Sequence, residues 1–200
     1  MKTFTVLIFG IIVSLLSYFS FASDQPSDLK VDSCGHDNIA IFYEIKADYL
    51  IGCDGIARAK KFFTNYGYAV DIPIHMYFRQ RVTVDVKIPE ADQEQIYGCF
   101  DSKTMSVYIS SLASPFVRDS ERVFFRIEFQ PGCMLEEYHR SVVAHEFAHL
   151  FAQHNFNLRA DAGLSIPNMG HGVQEYIALV VQLRSMESNF YSTHTSAICA

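Results

Sequence analysis

The sequence feature that most constrains the fold is a pair of histidines, His145 and His149, in the apolar stretch 142–155. Glu146 directly follows the first histidine, which gives the pattern His-Glu-x-x-His. Residues four apart lie on one face of an α-helix, so both imidazoles can bind the same metal ion if this stretch is helical. Glu146 then lies beside the metal, where its carboxylate can reach a bound water as a general base.

Apolar residues around this motif indicate that the stretch is helical. They recur at spacings of one, three and four residues, as in a mostly buried helix that begins near Met134. They are Leu135, Tyr138, Val142, Val143, Phe147, Leu150 and Phe151. In a chain of 200 residues with eight histidines, a chance match to the motif has a probability on the order of one per cent. The sequence therefore predicts one zinc ion on this helix.

The pentapeptide from His145 to His149 resembles the signature of the zincin metallopeptidases, and its flanks resemble those of the minimal bacterial members. The resemblance extends over about residues 142–183. It implies an α+β fold, in which a small, twisted mixed sheet packs on the motif helix and a glutamate-bearing helix follows. It also implies hydrolysis of a peptide or protein substrate by a zinc-activated water, with Glu146 as the general base.

A catalytic zinc site needs a third protein ligand beside the two histidines, since one position stays open for water. The downstream candidates are His154, Asp161, His171 and Glu175. Five helical steps turn His154 by about 140° relative to His149, so it is expected to face away from the metal. Asp161 and His171 lie in the loop-like stretch 159–171, and both stay open as candidates.

Glu175 is the favoured third ligand. It lies in a predicted helix, Gly172–Leu183, that is apolar on nearly every side, where an unpaired carboxylate is costly. A glutamate in a first helical turn is also favoured by the helix dipole, without any metal. The run from Glu175 to Ala178 resembles the glutamate helix of the gluzincins, which implies that Glu175 completes the zinc site.

Two departures from known patterns limit the resemblance. Metzincins have a glycine and a histidine three and six residues after the second ligand, where this chain has Ala152 and Asn155. Thermolysin-type gluzincins have an aspartate four residues after the glutamate, and here that residue is Leu179. The group that orients a ligand histidine must therefore differ, with Asp161 or a backbone carbonyl as candidates.

Several features of the function stay open at this level. Candidate side chains for stabilising the transition state are Tyr176, His171, Tyr191 and His194, and nothing in the sequence ranks them. One alternative function is a catalytically inactive zincin-like binding module. Another is a zinc hydrolase that acts on cell-wall peptides.

The N-terminus predicts export. A lysine at position 2 precedes the apolar run Phe4–Leu16 and the small residues Ser20 and Ala22, which is typical of a signal peptide over residues 1–22. An uncleaved anchor is the alternative, because apolar character continues to Ala22. We expect a single domain over residues 23–200, periplasmic or extracellular, with no membrane attachment after cleavage. The net charge of −6 argues against a nucleic-acid partner.

The five cysteines are disulfide candidates in an exported chain. None forms a C-x-x-C pair, so a cysteine zinc site is not expected. Sequence alone does not choose among the pairings. We predict Cys34–Cys53 and Cys99–Cys133, with Cys199 unpaired near the C-terminal end.

The remaining periodicities predict one further helix and several strands. A helix is predicted over Gly55–Tyr66, whereas Ile39–Tyr49 shows no consistent period. The predicted strands are Ile72–Phe78, Val82–Ile88, Ile96–Phe100, Met105–Ser110 and Val123–Phe129. The third and fourth form a hairpin across Asp101–Thr104. In zincins the strand at the edge of the cleft pairs with extended substrate, and Met105–Ser110 is either that edge strand or an interior one.

Overall fold

The structure, a computed structural model, describes residues 29–35, 38–83, 95–118, 131–158 and 169–186, with only the backbone at 131–134 and 169–171. The predicted signal peptide 1–22 and the predicted strand Val123–Phe129 lie outside these residues. Within the described ranges, five strands and three long helices follow one another along the chain. They are β1 Lys30–Asp32, β2 Ile39–Tyr43, α1 Lys46–Asn65, β3 Ile74–Arg79, β4 Gly98–Asp101, β5 Ser106–Ser110, α2 Pro131–Phe156 and α3 Met169–Ser185.

The strands form one mixed sheet in the order β1-β2-β3-β5-β4. The three central strands run parallel, and the two outer strands, β1 and β4, are antiparallel to their neighbours. The α+β class and the small mixed sheet are therefore confirmed. Of the two alternatives for Met105–Ser110, the interior strand is correct, because this segment forms β5, which lies between β3 and β4. The edge strand is β4.

The hairpin between β4 and β5 is confirmed. Gly98 lies opposite Ile109, and Asp101 lies opposite Ser106. The Asp101 carboxylate closes the turn by accepting hydrogen bonds from the backbone N–H of Lys103 at 2.9 Å and the hydroxyl of Thr104 at 2.8 Å. Of the predicted strand Val82–Ile88, Thr83 forms an isolated bridge with Gln95, and residues 84–88 lie outside the described ranges.

One face of the sheet and the two longer helices form the core. Along β2 and β3, alternate residues are buried, which is the period of two that a sheet with one covered face shows. The buried side chains of these strands are Ile39, Ile41, Tyr43, Ile74, Met76 and Phe78. They pack against α1 and α2 in one hydrophobic cluster. The sheet thus supports α2 from one side.

The predicted helix Gly55–Tyr66 exists, but its predicted start is wrong, because α1 begins at Lys46. Gly52 and Gly55 lie inside the helix at close contacts. A β-carbon at Gly55 would lie 2.6 Å from Cβ of Val143 and 2.7 Å from the carbonyl oxygen of Arg140. Glycine here lets α1 pack directly on α2, and this contact outweighs the low helix propensity of glycine.

The Cys34–Cys53 disulfide is confirmed. The predicted Cys99–Cys133 disulfide is wrong, since the Cys99 thiol is free. Gly98 faces α2, so its neighbour Cys99 faces the opposite side of the sheet. Position 133 lies in α2 about 13 Å along the axis from Val142, the residue beside Gly98, which is too far for a disulfide. None of the helices in the described part of the chain has the length and apolar character needed to cross a membrane.

Candidate metal centre

Helix α2 brings His145 and His149 together as predicted. Their Nε2 atoms lie 3.1 Å apart, and the segment that carries them is helical throughout. Glu175 of α3 meets the pair from the other side. One of its carboxylate oxygens lies 3.6 Å from Nε2 of His145, and the other lies 3.5 Å from Nε2 of His149. The structure thus brings the three predicted ligands into one cluster, with a donor atom of each within 4.8 Å of the others.

These distances can be tested against the requirements of zinc. Zinc binds imidazole nitrogen and carboxylate oxygen at about 2.0–2.2 Å in tetrahedral geometry. Ligand atoms on such a tetrahedron are about 3.3–3.6 Å apart, and the three separations here are 3.1, 3.5 and 3.6 Å. Two histidines and one carboxylate also leave the fourth position open. The donor set and its spacing therefore fit a zinc ion with one exchangeable site.

Glu175 is more exposed than its apolar helix led us to expect. Its side chain is 46% exposed, so the argument that burial makes an unpaired carboxylate costly there is wrong. Helix α3 packs through one face, with Ala178 and Val181 buried, and leaves apolar side chains exposed on the other. Glu175 lies at the border of the packed face, from which it reaches the histidines.

Glu146 lies next to the cluster and is buried, with 7% of its surface exposed. Burial raises the pKa of its carboxyl group to about 8, and the negative charge of Glu175 adds to this shift. A hydrogen bond from the Phe100 backbone acts in the opposite direction, because it stabilises the carboxylate. A cation at the cluster would also favour the ionised form. The proton affinity of Glu146 therefore depends on what occupies the neighbouring position.

The edge strand β4 forms one wall of the site. A β-carbon at Gly98 would lie 2.8 Å from Cγ and 2.9 Å from Oε1 of Glu146, and 2.9 Å from Cγ1 of Val142. Only glycine lets the strand lie this close to α2. Gly98 was not among the predicted site residues, although a glycine inside a predicted strand is a known sign of close backbone contact.

A cleft of about 370 Å³ opens over the cluster. Its lining combines the edge strand with both helices: Ile96, Gly98, Cys99, Phe100, Ser102, His145, Glu146, His149, Gln174 and Glu175. This volume lies at the lower end of the range of ligand pockets. Burial is the main cause that raises the pKa of the Cys99 thiol to about 11, so this thiol is neutral at physiological pH.

Within the described part of the chain, none of the other candidate residues lies in this cluster. His154 is exposed, as expected from its helical position. Tyr176 is 70% exposed and does not line the cleft. The side chain of His171 lies outside the described part of the chain, as do Asp161, Tyr191 and His194.

The residue that orients His145 was missed by the sequence analysis. Oε1 of Gln182 in α3 lies 3.1 Å from Nδ1 of His145, in the place for which Asp161 or a backbone carbonyl was expected. Burial lowers the pKa of His145, and this effect exceeds the opposing effects of Glu175 and Gln182. A usable signal existed, because Gln182 follows Glu175 by two helical turns and so lies on the same face of α3.

Gln153, one turn after His149 on α2, fixes the tip of the hairpin beside the cleft. Its Nε2 donates to the Ser102 carbonyl at 3.1 Å and lies 3.2 Å from Sδ of Met105. Met105 has a positive φ of 53°, which lets the chain turn back into β5. The α2 helix thus supports both the candidate ligands and the cleft wall.

Comparison with known proteins adds one assignment. The profile of a protein family of unknown function (DUF6639) matches residues 45–197. No curated protein and no solved structure gives a significant match. The matched range includes α1, β3 to β5 and the helices that carry His145, Glu146, His149 and Glu175. The chain belongs to the DUF6639 family.

Proposed function

We propose that this member of the DUF6639 family is an exported zinc-dependent metallopeptidase. The observation that carries the proposal is the meeting of two Nε2 atoms and one carboxylate at separations of 3.1 to 3.6 Å, with a buried glutamate beside them. This donor set, which leaves a fourth position open, supports a catalytic zinc site rather than a structural one.

The ion would be bound by Nε2 of His145, Nε2 of His149 and the carboxylate of Glu175. It would supply a water of lowered pKa and positive charge to stabilise the oxyanion of the attacked carbonyl. Glu146 would accept a proton from a water held there and donate it to the leaving amine. Its enclosure between α2 and the edge strand at Gly98 keeps bulk water from competing for that proton.

No strand of the described residues pairs with the outer side of β4, and an extended substrate binds there in this proposal. The N–H of Ser110 bonds to the carbonyl of Tyr97 at 2.8 Å, so the alternation of an antiparallel ladder turns the backbone groups of Gly98 and Phe100 away from β5. The Phe100 N–H interacts with Glu146. A peptide added along this edge lies across the cluster, in the role that the sequence analysis considered for β5.

Export is supported by two features. The first 22 residues have the pattern of a signal peptide. The Cys34–Cys53 bridge is of the kind that persists in oxidising compartments. A periplasmic or extracellular location follows from the proposal.

The decisive experiment measures zinc content and cleavage of an unfolded protein by the purified chain and three variants. Glu175→Ala is expected to lose most of the zinc. Glu146→Gln is expected to keep zinc and to lose about 10²–10⁴-fold in cleavage rate, as removal of a general base does. Glu136→Gln, a half-exposed glutamate of the same helix outside the cleft, is the matched control and should retain both.

The outcomes separate the alternatives. A wild-type chain that binds zinc but cleaves neither protein nor cell-wall peptides would be a binding module, contrary to the proposal. Cleavage confined to purified cell-wall material would assign the hydrolase to that substrate. Absence of stoichiometric zinc in the wild-type chain would refute the metal site itself.

A further inference from the structure

A chain of three hydrogen bonds leads from His145 into the interior of the helix pair. Gln182 Oε1 lies 3.1 Å from Nδ1 of His145, and Gln182 Nε2 lies 3.3 Å from Oγ of Ser141. The Ser141 hydroxyl in turn lies 2.6 Å from the backbone carbonyl of Tyr138. Ser141 is buried, with 1% of its surface exposed, so water does not substitute for these partners.

The direction of every bond follows from the last one. A backbone carbonyl can only accept, so Ser141 donates its single hydroxyl hydrogen to Tyr138. Ser141 Oγ must therefore accept from Gln182, which places the NH₂ group of the amide toward Ser141. The amide oxygen then faces His145, and an oxygen can only accept. Nδ1 of His145 is therefore the protonated nitrogen.

The reverse arrangement is disfavoured. Turning the Gln182 amide over would place its oxygen against Ser141 Oγ, whose only hydrogen is already donated to Tyr138. Two acceptors would then meet in a buried position, and one hydrogen bond of the amide would be lost. Turning the Ser141 hydroxyl instead would leave the Tyr138 carbonyl without this donor.

We infer that Ser141, acting through Gln182, fixes His145 in the tautomer that carries its proton on Nδ1. The lone pair of Nε2 then faces His149 and Glu175 before any ion arrives. Ser141 and Gln182 are positioning residues for the metal site, and their importance for catalysis rests on the proposed function. The sequence is consistent with this role, since Ser141 precedes His145 by one turn and lies on the same face of α2.

The pairing of a ligand histidine with an amide has a chemical consequence. Outer partners of ligand histidines are commonly carboxylates, carbonyls or water, and loss of such a partner typically weakens metal binding 10- to 100-fold. A neutral amide orients the ring but adds no negative charge. Gln182→Glu keeps an acceptor opposite Nδ1 but places its second oxygen against Ser141 Oγ, whose hydrogen is donated to Tyr138, so it is not expected to replace the amide.

The test uses the full mature chain without metal. Nitrogen-15 NMR of the histidine rings near pH 8, above the usual imidazole pKa of about 6.5, is expected to show the proton of His145 on Nδ1. In Ser141→Ala the amide is free to turn, so a population with the proton on Nε2 should appear. Ser141→Thr keeps the hydroxyl and should restore the wild-type spectrum.

Zinc affinity provides the second measurement. Ser141→Ala and Gln182→Leu are expected to raise the Kd for zinc about 10- to 100-fold, with Ser141→Thr close to the wild type. Ser185→Ala is the matched control, because the Ser185 hydroxyl donates to the Gln182 backbone carbonyl at 2.8 Å without touching the chain of bonds. Unchanged thermal unfolding of each variant shows that the fold is retained.

A wild-type His145 protonated on Nε2 would overturn the inference, as would a Ser141→Ala spectrum identical to the wild type. These readouts need neither metal nor substrate. A protein with the expected tautomer but no peptidase activity would refute the proposed function and leave this inference standing.

Discussion

The two sides of α2 are built differently. Toward α1 the helix makes close apolar contacts, with the Gly55 backbone against Val143 and the ring of Phe151 stacked on Phe63 at 3.7 Å. Toward α3 it presents polar side chains, which meet Glu175 and Gln182. The α1 side therefore provides stability, and the α3 side provides the candidate chemistry. Substitutions on the two sides should separate these properties.

The largest expected difference is between apolar truncations at the α1–α2 contact and on the outer face of α3. Phe151→Ala removes a fully buried ring and should lower the free energy of unfolding by about 4 kcal/mol, since the site cannot collapse fully. Leu179→Ala on the outer face of α3, where the side chain is 49% exposed, should change it by less than about 0.5 kcal/mol. Urea unfolding measures both, and equal losses would contradict the comparison.

Glycine-to-alanine substitutions in α1 and α3 should differ in the same direction, with a smaller change in the free energy of unfolding. Gly55→Ala inserts a methyl group into the contact with Val143 and should cost about 2–3 kcal/mol, because the backbone carbonyl of Arg140 cannot yield easily. Gly172→Ala in α3 meets open space within 4 Å and should be neutral or stabilising by up to about 1 kcal/mol. A tolerated Gly55→Ala would show that α1 and α2 can separate without loss.

The third face of α2, toward the sheet, adds a pH dependence. His139 is fully buried and bonds through Nε2 to the Ser110 carbonyl at 2.7 Å, and burial lowers its pKa below the usual value. At mildly acidic pH, His139 therefore binds a proton more weakly in the folded chain than in the unfolded chain. The contribution of neutral His139 to the free energy of unfolding should be fully present above about pH 6.5. Below that pH the free energy of unfolding should fall by up to about 1.4 kcal/mol per pH unit.

The control for this effect is His139→Gln, whose amide can still donate toward Ser110 but does not titrate. Chemical unfolding at several pH values between about 5 and 7.5 brackets the usual imidazole pKa. The difference in unfolding free energy between wild type and variant should change across this interval. A constant difference would show that His139 does not contribute to acid sensitivity.

The sequence could predict those features that depend on local periodicity. The motif helix, the hairpin around Asp101 and the meeting of Glu175 with the two histidines all follow from spacing or from a family pattern. Features that depend on contacts between distant elements were not predictable in this way. Gly98 and Gln182 each carried a local signal, but the partner that each one contacts depends on β4 and α3 lying beside α2, and no local pattern specifies that.

The errors have the same physical origin. The predicted start of α1 was too late, because Gly55 weakens a helix locally but its contact with Val143 stabilises the packed pair, so the helix continues through this residue. The Cys99–Cys133 bridge was wrong because strand alternation turns Cys99 away from α2. In both cases tertiary packing outweighed the signal that a single segment carries.

The Cys34–Cys53 bridge joins the segment before β2 to the middle of α1 and spans 19 residues of sequence. Closing a loop of that size restricts the unfolded chain by about 3 kcal/mol. The same polypeptide is therefore less resistant to unfolding while its thiols are reduced than after oxidation. Under reducing conditions the chain should therefore be cleaved more readily by a protease than after the bridge has formed.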